Sequence, residues 1–251
     1  MDSTSLLLHL LAQKRTVYGI SFDYGQKHSI ELQRLQSNLN YLRSNDLHVD
    51  WQLVDLSSLS DMLHSALTDP EWEVPQGYYE SDNMKQTVVP NRNAIFASIA
   101  FAKALSVATR DDTDIDLCLG VHAGDHAIYP DCKPEFYEAI FEAFHRGNWD
   151  AQRVNQYLPY LEFDKAKILR DAEKSITSLG LDFETIFANT ITSYAPDADG
   201  RSSGLTGSDV ERILAFHEIG RRDPIQYSSS WETVVEQALE LQKEFEAGQQ
   251  Q

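Results

Sequence analysis

Apolar residues recur along the chain with two alternating periods, and their order sets out an architecture. Residues 6–12 carry Leu6, Leu7, Leu8, Leu10 and Leu11 and predict a helix. Residues 16–22 are β-branched and aromatic, predicting a strand that ends at Asp23-Tyr24-Gly25. Ile30, Leu32, Leu35, Leu39 and Leu42 then form a helical stripe over residues 29–42. A strand over 48–56 and a helix over 57–67 follow, and a polar segment with proline and aromatics at 68–86 is long enough to be a lid or ordered insertion. A strongly apolar helix at 92–107 precedes a buried strand at 114–121 and a proline-opened helix at 134–145. A short strand is expected at 157–161 and a helix at 164–179, which Gly180 is placed to end. Strand-helix alternation of this kind implies a parallel sheet with helices on both faces.

The character changes after about residue 181. Residues 191–207 are rich in Ser, Thr, Gly, Asp and Ala and read as loop. Two further helices are expected at 209–219 and 231–245, the second capped by Ser229 with Glu232 three residues on. The expected organisation is therefore an α/β domain over 1–180 and a mostly helical subdomain over 181–251.

Composition narrows the function. With 251 residues and 42% hydrophobic content, the chain can bury a substantial core. A formal charge of −18 argues against nucleic acid or an anionic membrane as main partner, because phosphates would be repelled. It leaves room for a small anion met by a few local donors. No stretch is long enough to span a bilayer, and no basic segment precedes the N-terminal leucines, so a cytoplasmic protein is expected. Two cysteines, Cys118 and Cys132, provide no disulfide framework, and no histidine pair has convincing metal-ligand spacing.

Three polar clusters fall where the strands end, the side on which open α/β sheets bind ligands. They are Asp23-Tyr24-Gly25-Gln26-Lys27-His28, residues 120–125 ending in Asp125, and Phe163-Asp164-Lys165. Two have plain alternatives: the first could be a solvated turn, and Lys165 a surface lysine. Arg92, in the first turn of an apolar helix, opposes the macrodipole unless an anion binds there. Asp131 could be a helix cap and Cys132 a small buried filler within Tyr129-Pro130-Asp131-Cys132. At the start, Asp2-Ser3-Thr4 matches the second half of a phosphate-binding loop S-G-G-x-D-S-T, although Ser3 or Thr4 could simply cap a helix.

Taken together, these motifs resemble the 7-cyano-7-deazaguanine synthase (QueC) family of the PP-loop ATP pyrophosphatase superfamily. The resemblance runs through Asp2-Ser3-Thr4, Phe22 to His28, Ser65-Ala66-Leu67-Thr68, Val89-Pro90-Asn91-Arg92-Asn93, Gly120 to Cys132, and Thr192-Ser193-Tyr194 onward to Arg212. It implies a Rossmann-like fold and an ATP-dependent ligase that adenylates 7-carboxy-7-deazaguanine. Ammonia then gives an amide, and a second adenylation gives the nitrile. It also implies that Asp2, Ser3 and Thr4 bind pyrophosphate, while Arg92 and Lys165 stabilise phosphate charge, so that Ser3, Arg92 and Lys165 are the catalytic candidates. Asp23 and Gln26 would line the nucleotide site, and Asp125, Tyr129 and Asp131 the deazapurine site. ATP is the implied cosubstrate with Mg2+ accompanying it, and a homodimer is expected.

Two departures from the family pattern shape the expectation. The Ser-Gly-Gly half of the loop and the strand feeding it are absent from the sequence as given. Met1 is accordingly expected to be an internal methionine, and the chain as written to be destabilised and catalytically crippled. In addition, the positions of four zinc-binding cysteines hold Ser193, Ser203, Thr206 and Asp209. Hydroxyls are poor zinc ligands, so no structural zinc is expected. Alternative readings are a PP-loop enzyme that amidates or thiolates another acceptor, and a non-catalytic nucleotide-binding relative.

Overall fold

The structure is a computed structural model that describes all residues except Lys27, His28, Ser29, Pro70, Ala198, Gln250 and Gln251. The chain divides into two compact units, one comprising Met1–Val89 with Lys165–Gln251 and the other Pro90–Asp164. Lys27 and His28, placed by sequence in the first polar cluster, lie outside the described residues.

In the first unit, helix α1 (Asp2–Ala12) leads through a polar turn to strand β1 (Tyr18–Asp23), then α2 (Ile30–Ser44) and β2 (Asp50–Asp55). The two strands are parallel, in register from Tyr18 opposite Asp50 to Asp23 opposite Asp55. The chain returns to this unit with α5 (Lys165–Leu179), α6 (Phe183–Ala188), α7 (Gly207–Glu218) and α8 (Trp231–Gly248). Leu8 and Leu11 of α1 share a core with Leu169, Ala172 and Ile176 of α5, and with Phe183, Phe187 and Phe216. The helical spacing of these side chains lets each helix bury one stripe while its opposite face stays wet. A second cluster, Val210 and Ile213 against Val234 and Ala238, seats α8 on α7.

In the second unit, α3 (Arg92–Asp111) is followed by β3 (Ile115–Cys118), α4 (Pro134–Gly147) and β4 (Val154–Tyr157). The β3 and β4 strands are parallel from Ile115 opposite Val154 to Cys118 opposite Tyr157. Helix α3 buries Ala97, Ala100, Phe101, Ala104, Val107 and Ala108, a three- and four-residue spacing that makes one continuous stripe. Phe101 stacks on Phe144 at 4.6 Å between ring centroids and meets Phe141 edge-on at 6.3 Å.

The expected α/β class with parallel strands is observed, and several boundaries shift for identifiable reasons. Among the described residues the strands form two pairs, β1–β2 and β3–β4. The helix expected at 57–67 is a 3-10 segment, Ser57–Met62. There the Asp55 carboxylate accepts from Ser57 N, and the Ser60 hydroxyl donates to Ser57 O, so side chains compete for the backbone. The strand expected at 157–161 lies earlier, at Val154–Tyr157, because Pro159 lacks an N–H and the chain turns where Leu161 N donates to Leu158 O. Helix α8 is capped by Ser230, whose hydroxyl accepts from Thr233 N, rather than by Ser229. No helix among the described residues is long and apolar enough to cross a membrane.

Candidate active site

Within the first unit, the start of α1 and the start of α5 come together. No side chain caps α1, so the N–H groups of its first turn have no intrahelical acceptor. Asp2, Ser3 and Thr4 occupy that turn, with Ser3 exposed. Lys165 opens α5 and is 5% exposed. Its Nζ lies 2.5 Å from Glu211 Oε2 and 3.6 Å from Asp2 Oδ2. Lys165 is therefore a buried cation held between carboxylates, not the surface lysine of the plain alternative. Glu211 has no counterpart in the sequence reading. It stands on α7, forty-six positions from its partner, and nothing local marks it.

Asp23 and Gln26 serve their own turn. Asp23 Oδ1 accepts from Gly25 N at 3.2 Å, and Gln26 Oε1 accepts from Tyr24 N at 2.9 Å while Gln26 Nε2 donates to Glu31. Gly25 is required here: its φ is +76°, and a Cβ would sit 2.5 Å from Ser60 Cβ.

Within the second unit, two of the polar clusters do meet. Ala123 N donates to Phe163 O at 2.9 Å, which ties the loop after β3 to the loop after β4. Parallel pairing of the two strands puts their carboxyl ends side by side and so dictates this. His122, buried at 2% exposure, begins a 3-10 segment (Ala123–Ala127). Its Nδ1 accepts from Gly124 N at 3.1 Å, which leaves Nε2, 3.5 Å from Asp125 Oδ2, as the protonated nitrogen. His122 thus lies beside Asp125, a neighbour the sequence reading missed because a lone histidine in a loop has no distinguishing spacing.

Arg92 sits over the ring of buried Tyr129, 5.9 Å from its centroid. Asp131 caps α3 rather than the helix that follows it in sequence: Asp131 Oδ2 accepts from Asn93 N at 3.3 Å. The N-terminal cap Asn91 of α3 is left-handed (φ 59°) and supplies no side-chain bond, so the distant carboxylate takes that place. Asp131 Oδ1 is buried with no hydrogen-bond partner. Asn93 Nδ2 also donates to Cys132 Sγ at 3.2 Å. Burial, with the charges of Asp125 and Asp131, pushes the Cys132 thiol far above its ordinary range. Cys132 is buried, as the small filler of the plain alternative would be, and burial disfavours its thiolate.

Three of the four positions aligned with the family's zinc cysteines converge. Ser193 Oγ donates to Asp209 Oδ2 at 3.1 Å, and Thr206 and Asp209 form a reciprocal capping box at the start of α7. Ser203 instead accepts from Leu205 N, and its neighbour Ser202 bonds Asp209. Nearby, fully buried Arg212 holds Asp223 through Nε at 2.6 Å, and also bonds Thr190 and Thr192. Hydrogen bonds and a buried ion pair thus order this region.

Parallel strands joined through helices, with polar side chains gathered where those strands end, define an α/β protein of the Rossmann-like class that binds small molecules. The family described as queuosine biosynthesis protein QueC matches residues 1–220. A 7-cyano-7-deazaguanine synthase of Caldicellulosiruptor bescii is 39% identical over 227 residues, covering 90% of this chain and 93% of that one. The synthase of Methanoregula boonei is 40% identical over 227 residues, with 90% and 94% covered. That of Hahella chejuensis is 38% identical over 230 residues, with 91% and 90% covered. The chain belongs to the QueC family of queuosine biosynthesis and is an enzyme.

Proposed function

We propose that this enzyme converts 7-carboxy-7-deazaguanine and ammonia to 7-cyano-7-deazaguanine at the expense of two ATP. The substrate carboxylate attacks the α-phosphorus of ATP and releases pyrophosphate. Ammonia adds to the acyl carbon and expels AMP, giving the amide. The amide oxygen attacks the α-phosphorus of a second ATP and releases its pyrophosphate, and loss of AMP with two protons then leaves the nitrile. A carboxylate is a poor electrophile until its oxygen leaves as AMP, so donors aimed at departing phosphate charge are the main requirement.

The observation that carries this reading is Lys165, buried beside the uncapped N-terminus of α1. Fixed N–H groups and a desolvated ammonium suit pyrophosphate. Glu211 and Asp2 neutralise Lys165 in the free protein, and Asp2 would be the residue to meet a Mg2+ ion accompanying the phosphates, which would supply further positive charge there. Ser3 and Thr4 add hydroxyl donors, and in the second unit Arg92 is assigned to phosphate charge. Asp23 and Gln26 are assigned to shaping the nucleotide turn. Asp125, Tyr129 and Asp131 are assigned to the deazapurine, with His122 beside Asp125. Residues 1–180 would carry the ATP and ligase functions, with 181–251 as supporting subdomain, in a cytoplasmic homodimer.

Incubation with ATP, 15N-ammonium and 7-carboxy-7-deazaguanine should yield the 15N-nitrile by mass spectrometry, with AMP and pyrophosphate. AMP without nitrile would shift the reading to another acceptor. Lys165→Met should reduce turnover by about 100-fold or more, the scale of losing one fixed donor to the transition state. Full turnover by Asp125→Ala would remove Asp125 from the site.

A further inference from the structure

The C-terminal part of the first unit holds a cavity of about 360 Å³, lined by Arg201, Arg222, Asp223, Tyr227, Ser229 and Trp231 among others. Apart from Arg201, the other five lie beyond residue 220, where the family match ends. The proposed chemistry uses none of them.

The wall is built by two segments held together. Ser202 N donates to Gln226 O at 3.0 Å, and Ser228 N donates to Ser202 O at 2.9 Å. The floor is Asp223, and it is electrically quiet. Both of its oxygens are used, by Arg212 at 2.6 and 2.9 Å, by Tyr227 Oη at 2.7 Å and by Ile225 N at 3.2 Å. The buried Arg212 cancels its charge, so it does not repel an anion. Arg201 is engaged by Asp197, at 3.1 Å, and by Asp199. Arg222 differs: it is exposed, with no hydrogen bond or ion pair among the described residues, and its charge reaches the Glu232 carboxylate. A free guanidinium at a cavity mouth is notable in a chain with 39 acidic and 21 basic side chains. Two aromatic rings complete the site: Tyr227 and Trp231 lie 6.0 Å apart between centroids at 45°. Trp231 is also the first residue of α8, whose N-terminal partial charge adds to that of Arg222.

We propose that this cavity is an accessory binding site for a planar heteroaromatic anion, its ring against Trp231 and Tyr227 and its phosphate or carboxylate on Arg222. The size, the π faces and the single unpaired cation each select that chemistry over a bare ion or an apolar ligand. AMP represents the phosphate form and 7-carboxy-7-deazaguanine the carboxylate form.

The test reads the cavity directly and needs no turnover. In the 15N-labelled full chain the Trp231 indole N–H signal, assigned by its loss in Trp231→Phe, is followed by NMR during titration. AMP or 7-carboxy-7-deazaguanine should move it saturably, and whichever moves it at lower concentration identifies the anion. Neutral adenosine should not. Arg222→Ala, an exposed change, should raise the dissociation constant about tenfold or more, as expected for one charged hydrogen bond, with Arg222→Lys intermediate. No shift from either anion at millimolar concentration would overturn the site. So would an equal response from Arg222→Ala or from adenosine. A failure to make nitrile would leave this result untouched.

Discussion

Asp209 is completely buried at the start of α7, and its Oδ1 has no hydrogen-bond partner. Burial raises its carboxyl above the ordinary 3.8, against hydrogen bonds from Ser202, Thr206 and Ser193 that pull the other way. The sign of the pH dependence follows. When the folded value exceeds the unfolded one, the native state binds the extra proton between the two, so stability falls as pH rises from about 3.8 toward the raised value. Asn at this position keeps an acceptor for Ser193 and for Thr206 N without carrying a charge. Urea unfolding of Asp209→Asn should therefore lack that decline, and at pH 7 the variant should be at least as stable as the parent. A parent-minus-variant difference that is flat with pH would show that the Asp209 carboxyl titrates alike in the folded and unfolded chain, against the raised direction. This residue was visible in sequence only as a substituted zinc position. Its burial and its partners Ser193 and Ser202 come from tertiary closure, which no local spacing encodes.

At the scale of elements, the strand-helix order was legible because each helix buries one stripe and each strand one short apolar run. What sequence could not show were caps supplied from afar and elements too short for a period. Sequence offers Asp131 as a possible helix cap without saying of which helix, and its carboxylate serves α3 through Asn93 N, thirty-eight residues earlier. Helix α6 spans only Phe183–Ala188, less than two turns, and is marked mainly by its cap Asp182 accepting from Thr185 N. Lys165 was legible as a polar residue after a strand, whereas its partner Glu211 was not. The end of α8 tests the cap assignment. Ser230→Ala should lower unfolding free energy by about 1 kcal/mol, whereas Ser229→Ala should change it little, because only Ser230 accepts from Thr233 N. Equal losses from both substitutions, measured by urea midpoints at constant slope, would return the cap to an undivided Ser229-Ser230 pair.

For the whole molecule the decisive quantity is a formal charge of −18. Salt acts on it in two opposing ways. It weakens exposed pairs such as Arg146–Glu142 and Lys85–Asp82, which water already screens heavily. It also screens repulsion among excess carboxylates over the whole surface, since the Debye length shrinks from about 30 Å at 0.01 M to about 8 Å at 0.15 M. The buried pairs, Arg212–Asp223 and Lys165–Glu211, are screened far less and contribute little to the balance. Repulsion grows with the square of the net charge, whereas a handful of exposed pairs adds linearly, so repulsion should dominate. The thermal midpoint should rise when sodium chloride is added across this range, and potassium chloride should act equally, as simple screening requires. A falling midpoint would mean that exposed pairs outweigh net repulsion. A rise confined to sodium would point to cation binding at particular carboxylates rather than to the field of the whole chain.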